Sequence, residues 1–190
     1  SLHGMHLPER LLGIAVGPRP VNAVHVFDKA TAGAVVAIAL VYMKSGDNAI
    51  ARKIDIPDTE AQFDHVRPDM LLLRSMAKHV ILWDSIQAQD CGDGVPGWIH
   101  ANMPNCYKAK LRNMAQNSKQ RSLLSSTNVP FYNIATGLAW ALSLKYAGSG
   151  NEHARDEILL LLDFFHSTKS KGDAYYYDAK LARASIRRCI

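Results

Sequence analysis

Two long apolar stretches dominate the pattern of hydrophobic and polar positions along the chain. The first runs from Ala30 to Met43 and the second from Asn133 to Tyr146. Both are longer than a typical buried strand, so we predict two helices. Asp28 is a suitable N-cap for the first helix, and Ser45-Gly46 is a suitable C-terminal end for the same helix. The first stretch is shorter than the roughly 20 residues of a transmembrane helix, which favours a helix in a protein core.

The two stretches superimpose when one is shifted by 104 positions along the other. The matched pairs are Gly33 with Gly137, Ala37 with Ala141, Leu40 with Leu144, Tyr42 with Tyr146 and Gly46 with Gly150. A polar start and a second, more ordinary helical pattern follow each stretch. Internal similarity of this kind is typical of a repeat array.

The glycines predict how the first helix of each unit packs. Gly33 and Ala37 lie four positions apart and so share one helix face, as do Gly137 and Ala141. Small side chains on that face would let a neighbouring helix come close. Because a helix that is apolar all round must be buried all round, we predict inner helices at both glycine sites. The second helix of each unit is amphipathic, which predicts an outer helix with one wet face.

The remaining pattern completes an all-α organisation. Pro68 suits a first helical position, and the residues after it predict a long helix that ends near Ile86. We expect residues 1–190 to form part of a helical-hairpin repeat domain, a piece of an α-α toroid or solenoid. Its expected parts are a repeat unit (28–66), an intervening helix (67–87), a loop with a basic insertion (88–130), a second repeat unit (131–169) and the start of a next unit (170–190).

The positive charge is concentrated in one segment. The net charge is +5, yet residues 94–151 contain six basic residues and no Asp or Glu. A basic run can neutralise phosphates. Residues 105–128 are rich in Asn, Gln, Ser and Lys, however, and Tyr107 is the one aromatic residue among them. Single-strand binding surfaces interleave aromatic side chains with the charges, so we favour a solvated, mobile insertion over a nucleic-acid contact.

No catalytic, cofactor-binding or metal-binding residue set is predicted. The three cysteines lack C-x-x-C spacing, which argues for a reducing compartment and against a thiolate zinc site. Each other candidate has a plainer structural interpretation; these are His3 with His6, His79 and His166, Asp55 with Asp58 and Glu60, the tryptophans Trp83, Trp98 and Trp140, and the loop cysteines Cys91 and Cys106. A cavity that joined Cys91 or Cys106 to a histidine would favour a small hydrolase or transferase instead.

The glycine-bearing inner helix and its outer helix resemble the proteasome/cyclosome repeat. Within the proteins that carry this repeat, the stretch between the two units is similar to the anaphase-promoting complex subunit 1 family. The segments that carry the resemblance are Val41 to Lys44, Ile56 to Thr59, Val66 to Arg74, Ile81 to Asp84 and Ala147 to Asn151. A scaffold subunit of the proteasome base, with the same repeat, and a basic nucleic-acid-binding helical module are the alternatives.

The resemblance implies a function without chemistry of its own. In this family the repeats close into a two-layered ring of helices, which is a structural and docking platform in a multisubunit ubiquitin ligase of the cell cycle. The implied partners are other subunits of the complex, with the DOC-domain subunit and the WD-repeat coactivator nearby. The implied location is the nucleus and the cytoplasm, with no membrane. Because a fragment leaves repeat faces uncovered, we expect that the isolated chain can self-associate.

Overall fold

A computed structural model describes residues 7–17, 24–63, 65–116, 128–167, 184–187 and 189. Every regular element in those ranges is a helix, which confirms the predicted all-α fold. The helices are α1 (Leu7–Val16), α2 (Val24–Val41), α3 (Asn48–Lys53), α4 (Glu60–Phe63), α5 (Pro68–Ile81), α6 (Gly97–Asn102), α7 (Asn105–Gln116), α8 (Val129–Tyr146) and α9 (Glu152–Ser167), with a 3-10 turn at Trp83–Ser85.

The chain divides into two compact units. Unit 1 contains Ser1–Ile56 and Leu73–Ser85, and unit 2 contains Pro57–Leu72 and Ile86–Ile190, so the division passes through α5. This division follows the spatial contacts between residues and does not follow the repeat units predicted from the sequence. The boundaries expected for the repeats from the sequence therefore stay a prediction.

Helix α2 packs against α1 in unit 1 and buries one side. Val35 and Ile38 are fully buried there. The helix begins at Val24, so Asp28 lies inside it and the predicted N-cap at Asp28 is wrong. A capping residue is favoured only where the chain enters a helix, and here the helix extends four residues further upstream.

The opposite side of α2 is not buried, which contradicts the predicted packing at Gly33. A Cβ atom added to Gly33 would meet nothing within 4 Å, and Leu40 and Val41 are 65% and 57% exposed. The expectation that α2 is an inner helix buried on all sides is therefore wrong for this chain. An apolar pattern shows which helix faces favour burial. Whether such a face is buried also depends on another element that packs against it, and none of the described residues covers this side of α2.

Helix α8 in unit 2 is buried around its glycine, as the sequence predicted for both glycine-bearing helices. Its residues are buried almost continuously from Val129 to Leu142, and Gly137 is among them. It begins four residues before the predicted start at Asn133 because Pro130 is accommodated in the first turn, where a missing N–H costs nothing. The following helix, α9, exposes Glu152 and Asp163 and buries Ile158 and Phe165, which confirms the predicted amphipathic helix with one wet face; its outer position in a repeat array stays a prediction.

The turns after α2 and α8 have the same backbone conformation. We name residues 43–47 the first turn and residues 147–151 the second turn. Lys44 and Gly46 have φ values of 61° and 67°, and the equivalent Gly148 and Gly150 have φ values of 71° and 67°. This left-handed region favours glycine, so the glycine at three of the four positions is explained by the turn.

Hydrogen bonds repeat between the two turns with the same shift of 104. The serine at the centre of each turn donates its N–H to the carbonyl of the preceding tyrosine at 3.0 Å. The serine hydroxyl then accepts from the N–H two residues later at 3.2 Å. Asp47 and Asn151 cap the next helix through their side-chain oxygens, which accept from Ile50 N and Ala154 N at 3.0 and 2.9 Å. The repeat read from the sequence is therefore present at the level of single hydrogen bonds.

Helix α5 ends in unit 1 earlier than predicted. Its last residue is Ile81 rather than a residue near Ile86, and the chain passes into the 3-10 turn. Within unit 1, Arg74 Nε donates to Ile54 O at 2.8 Å, and Lys78 Nζ lies 2.6 Å from Asp55 Oδ2. These bonds use the carbonyl and carboxylate that follow α3.

Within the stretch 88–130, where the sequence predicted a loop with a mobile insertion, the described residues 97–102 and 105–116 are helical. Helices α6 and α7 occupy much of it, and residues 117–127 lie outside the described residues. Tyr107, Leu111 and Met114 are buried at helical spacing along α7. The prediction was wrong because these three apolar residues are enough for one buried face, although polar residues outnumber them.

Candidate interaction surfaces

Several of the residues that the sequence analysis considered for chemistry have structural roles. His79 is buried and its Nδ1 lies 2.8 Å from Ser75 O. Asp58 accepts a hydrogen bond from Asn105 N at 3.2 Å, and Trp98 is 2% exposed in the core of unit 2. His3, His6 and the side chain of His166 lie outside the described residues. Among the residues described, no group of three His, Cys, Asp or Glu side chains could hold a metal ion.

Neither Cys91 nor Cys106 is an activated thiol, and Cys106 lies in the first turn of α7 rather than in the predicted loop. Burial is the dominant cause that raises the pKa of the Cys91 thiol to about 11; a backbone hydrogen bond at Gly97 lowers the pKa, and the nearby carboxylates of Glu157, Asp156 and Asp90 contribute to the rise. Burial also raises the pKa of Cys106. Because the thiolate is the reactive species, a raised pKa leaves less thiolate at neutral pH in both groups than in an ordinary cysteine.

A buried carboxylate organises the segment before α6, and the sequence analysis missed it. Glu157 is fully buried on the core side of α9. Its Oε1 accepts from Gln89 N at 2.8 Å and its Oε2 accepts from Ile99 N at 3.0 Å. The N-cap residue of α6, Pro96, makes no side-chain capping bond, so Glu157 supplies from another helix the acceptor that the start of α6 needs.

Burial and hydrogen bonding act in opposite directions on Glu157. Desolvation is the larger effect and raises its pKa, while the N–H groups of Gln89, Ile99 and Trp98 lower it. In the sequence Glu157 looks like one more charge on a wet face, next to Asp156. Only the position of the 86–99 segment shows that it faces inward.

The positive charges of α7 are partly used inside the fold. Lys110 Nζ lies 5.8 Å from the centre of the Tyr107 ring and 5.6 Å from the centre of the Phe131 ring, as in cation–π contacts. Burial lowers the pKa of Lys110. His100 lies near Lys108 and Arg112; burial, then the charge of Arg112, lowers the pKa of its imidazole. The arrangement favours a structural role for Lys110 rather than a continuous phosphate-binding stripe.

Two features of the described surface can take part in contacts with other elements. One is the exposed apolar side of α2, with Gly33, Leu40 and Val41. The other is a cavity of about 290 Å³ in unit 2 beside the second turn, lined in part by Gly148, Gly150 and Arg155. No helix in the described part of the chain is both long and apolar enough to pass through a bilayer.

The geometry defines a class of protein: an all-α fragment built from helical-hairpin repeats. A family model described as the APC1 fifth domain matches residues 1–190. A protein of Emericella nidulans named "Negative regulator of mitosis" is 44% identical over 189 residues, which cover 100% of this chain and 9% of that protein. Anaphase-promoting complex subunit 1 of Schizosaccharomyces pombe is 30% identical over 157 residues, covering 83% of this chain and 10% of that protein. The human subunit 1 is 31% identical over 123 residues, covering 63% of this chain and 6% of that protein.

The chain belongs to the anaphase-promoting complex subunit 1 family, which confirms the resemblance found in the sequence. It spans about a tenth or less of the length of these relatives. The family match favours this subunit over the proteasome base, the alternative with the same repeat.

Proposed function

We propose that this chain is a non-catalytic scaffold segment of the largest subunit of the anaphase-promoting complex, a ubiquitin ligase of the cell cycle. The observation that carries the proposal is the match of the family model along all 190 residues. The relatives are named as subunit 1 of that complex or as a regulator of mitosis. The proposed location is nuclear and cytoplasmic.

The physical basis of the scaffold role is a tightly packed core together with an apolar surface that remains exposed. Helix α8 is enclosed along most of its length, and the ring contacts from Phe63 through Tyr107, Phe131 and Tyr132 to Phe165 join α4, α7, α8 and α9 within unit 2. Such packing holds its neighbours in fixed positions. The exposed apolar side of α2 suits a further packing contact.

The proposed partners are the other subunits of the complex, with the DOC-domain subunit and the WD-repeat coactivator docked near the ring that the repeats form. In this proposal the segment acts by holding its neighbours in register, and ubiquitin transfer takes place on other components.

The experiment is a core disruption in the full-length protein. Ala141→Asp places a charge at a position of α8 that is 0% exposed, whereas Leu144→Asp changes the same helix at a position that is 41% exposed. We expect Ala141→Asp to reduce the other subunits that co-purify with the protein, because a buried unpaired charge is strongly destabilising. Leu144→Asp is expected to leave the core intact. Normal assembly and normal ubiquitination activity with Ala141→Asp would contradict the scaffold role.

A further inference from the structure

The first turn holds the end of α5 within unit 1. Lys44 N donates to Val80 O at 3.1 Å, and Gly46 N donates to Ile81 O at 3.0 Å. These two carbonyls belong to the last residues of α5, where a helix has no internal donors left. The 3-10 turn Trp83–Ser85 follows at once and ends this segment of unit 1. The first turn therefore fixes the place where the chain leaves unit 1.

Lys44 has a backbone conformation that is unusual for a lysine. Its φ of 61° lies in the left-handed region, and among the described residues it is the one that is not a glycine there. The equivalent residue of the second turn is Gly148, with a φ of 71°. A Cβ atom makes this conformation unfavourable, and an unfavourable conformation that is kept points to a role for the side chain.

The Lys44 side chain contacts the same segment that its backbone binds. Its Nζ lies 4.6 Å from the centre of the Trp83 ring, within the range of a cation–π interaction. Trp83 comes directly after the helix end whose carbonyls accept from the first turn. The Lys44 side chain is exposed and that of Trp83 is half-buried, so the ammonium is accessible to other molecules. A single residue thus holds the end of α5 twice, through its amide and through its charge.

The geometry points to Lys44 as a charge-dependent latch on the end of α5, and to its Nζ as a modification site whose acetylation opens the latch. The latch consists of the ring contact and the two backbone hydrogen bonds. Acetylation takes an acetyl group from an acyl thioester. The deprotonated amine forms the C–N bond, the C–S bond breaks and the thiol leaves, while Nζ gives up one proton to the solvent and one to the thiol. The uncharged amide product loses the cation–π interaction, so the two hydrogen bonds must hold the unfavourable turn alone.

Hydrogen exchange at the Gly46 amide measures the opening of the latch. This amide donates to Ile81 O, and it is separated from Lys44 by Ser45, so substitutions at Lys44 do not change its intrinsic exchange rate. The protection factor is measured by NMR on the 190-residue chain with Lys44→Gln, with acetyl-lysine incorporated at position 44, and with Lys44→Arg. We expect about two- to fivefold lower protection with glutamine and with acetyl-lysine, the loss that an exposed cation–π interaction implies. Lys44→Arg keeps the charge and should stay within about twofold of the native chain.

A double-mutant cycle with Trp83→Leu assigns the effect to the ring. In the Trp83→Leu chain, Lys44→Gln should lower the protection of Gly46 no further. Lys53→Gln is the matched control, because Lys53 is another exposed lysine of unit 1, and it should leave Gly46 unchanged.

Three results would overturn the proposal. They are native protection of Gly46 in the acetylated chain, equal protection with Lys44→Arg and Lys44→Gln, and the same loss from Lys44→Gln whether or not the ring is present. The first two comparisons decide the matter even if Trp83→Leu does not fold. Failure of the scaffold proposal would leave all these readouts intact, because they concern unit 1 alone.

Discussion

Replacement of Glu157 by Gln tests the role of the buried carboxylate directly. The substitution keeps the size of the side chain and exchanges one acceptor oxygen for an NH2 group. In the native arrangement both oxygens accept backbone N–H groups, at 2.8 Å from Gln89 N and 3.0 Å from Ile99 N. One of these donors must then face another donor, in a site that is 0% exposed.

The expected cost follows from that geometry. Hydrogen bonds to charged groups contribute about 1.5–3 kcal/mol, and a buried donor without a partner costs about 1–3 kcal/mol. The variant also removes a buried charge, and the recovered desolvation energy offsets part of the loss. We therefore expect Glu157→Gln to lower the free energy of unfolding by about 1–3 kcal/mol at neutral pH.

The assay is urea denaturation of the 190-residue chain at pH 7, followed by helical circular dichroism. Glu152→Gln is the matched control, because Glu152 lies on the same helix and is exposed. Hydrogen exchange should rise in residues 86–99 of the Glu157 variant and stay unchanged in the control. A change in unfolding free energy below about 0.5 kcal/mol, the usual range for surface substitutions, would refute the reasoning. So would a loss of stability without faster exchange in 86–99.

Three other predictions concern pH, helix packing and thiol reactivity. Because burial raises the pKa of Glu157, the native state binds the proton of this carboxyl more tightly than the unfolded state does. The free energy of unfolding should therefore fall as the pH rises from the ordinary carboxyl pKa through the raised pKa of Glu157, and then level off. Glu157→Gln should remove that fall in a pH series of unfolding curves. Gly137→Leu should lower the free energy of unfolding by about 1–3 kcal/mol through overpacking. A Cβ added at Gly33 meets nothing within 4 Å, so Gly33→Leu should leave the melting temperature unchanged or raise it. Equal losses of stability in the two variants would contradict the difference in burial. Cys91, with a pKa of about 11, should react with iodoacetamide at pH 7.5 about tenfold or more slowly than free cysteine, and a rate similar to that of free cysteine would contradict its raised pKa.

The sequence predicted the features that depend on local pattern. The apolar period of α8, its buried Gly137 and the shift of 104 between the turns all follow from residue spacing, and the structure contains them. The wet face of α9 follows from its charges in the same way. These features need no knowledge of which element lies next to which.

Features that depend on long-range neighbours were not predictable. Gly33 has the same local pattern as Gly137 but no element of the described chain covers it. Glu157 resembles a surface charge until the 86–99 segment is placed against it. Helix α7 was hidden by its polar composition, since its burial depends on Phe63 and Phe131, which contact Tyr107 from distant parts of the sequence.

The central claim is that this chain is part of a scaffold subunit of the anaphase-promoting complex. It is tested most directly by quantitative mass spectrometry of the proteins that co-purify with the full-length protein from dividing cells. The account predicts the other subunits of that complex in amounts close to equal with it. Recovery of the protein with proteasome base subunits instead, or alone, would contradict the account.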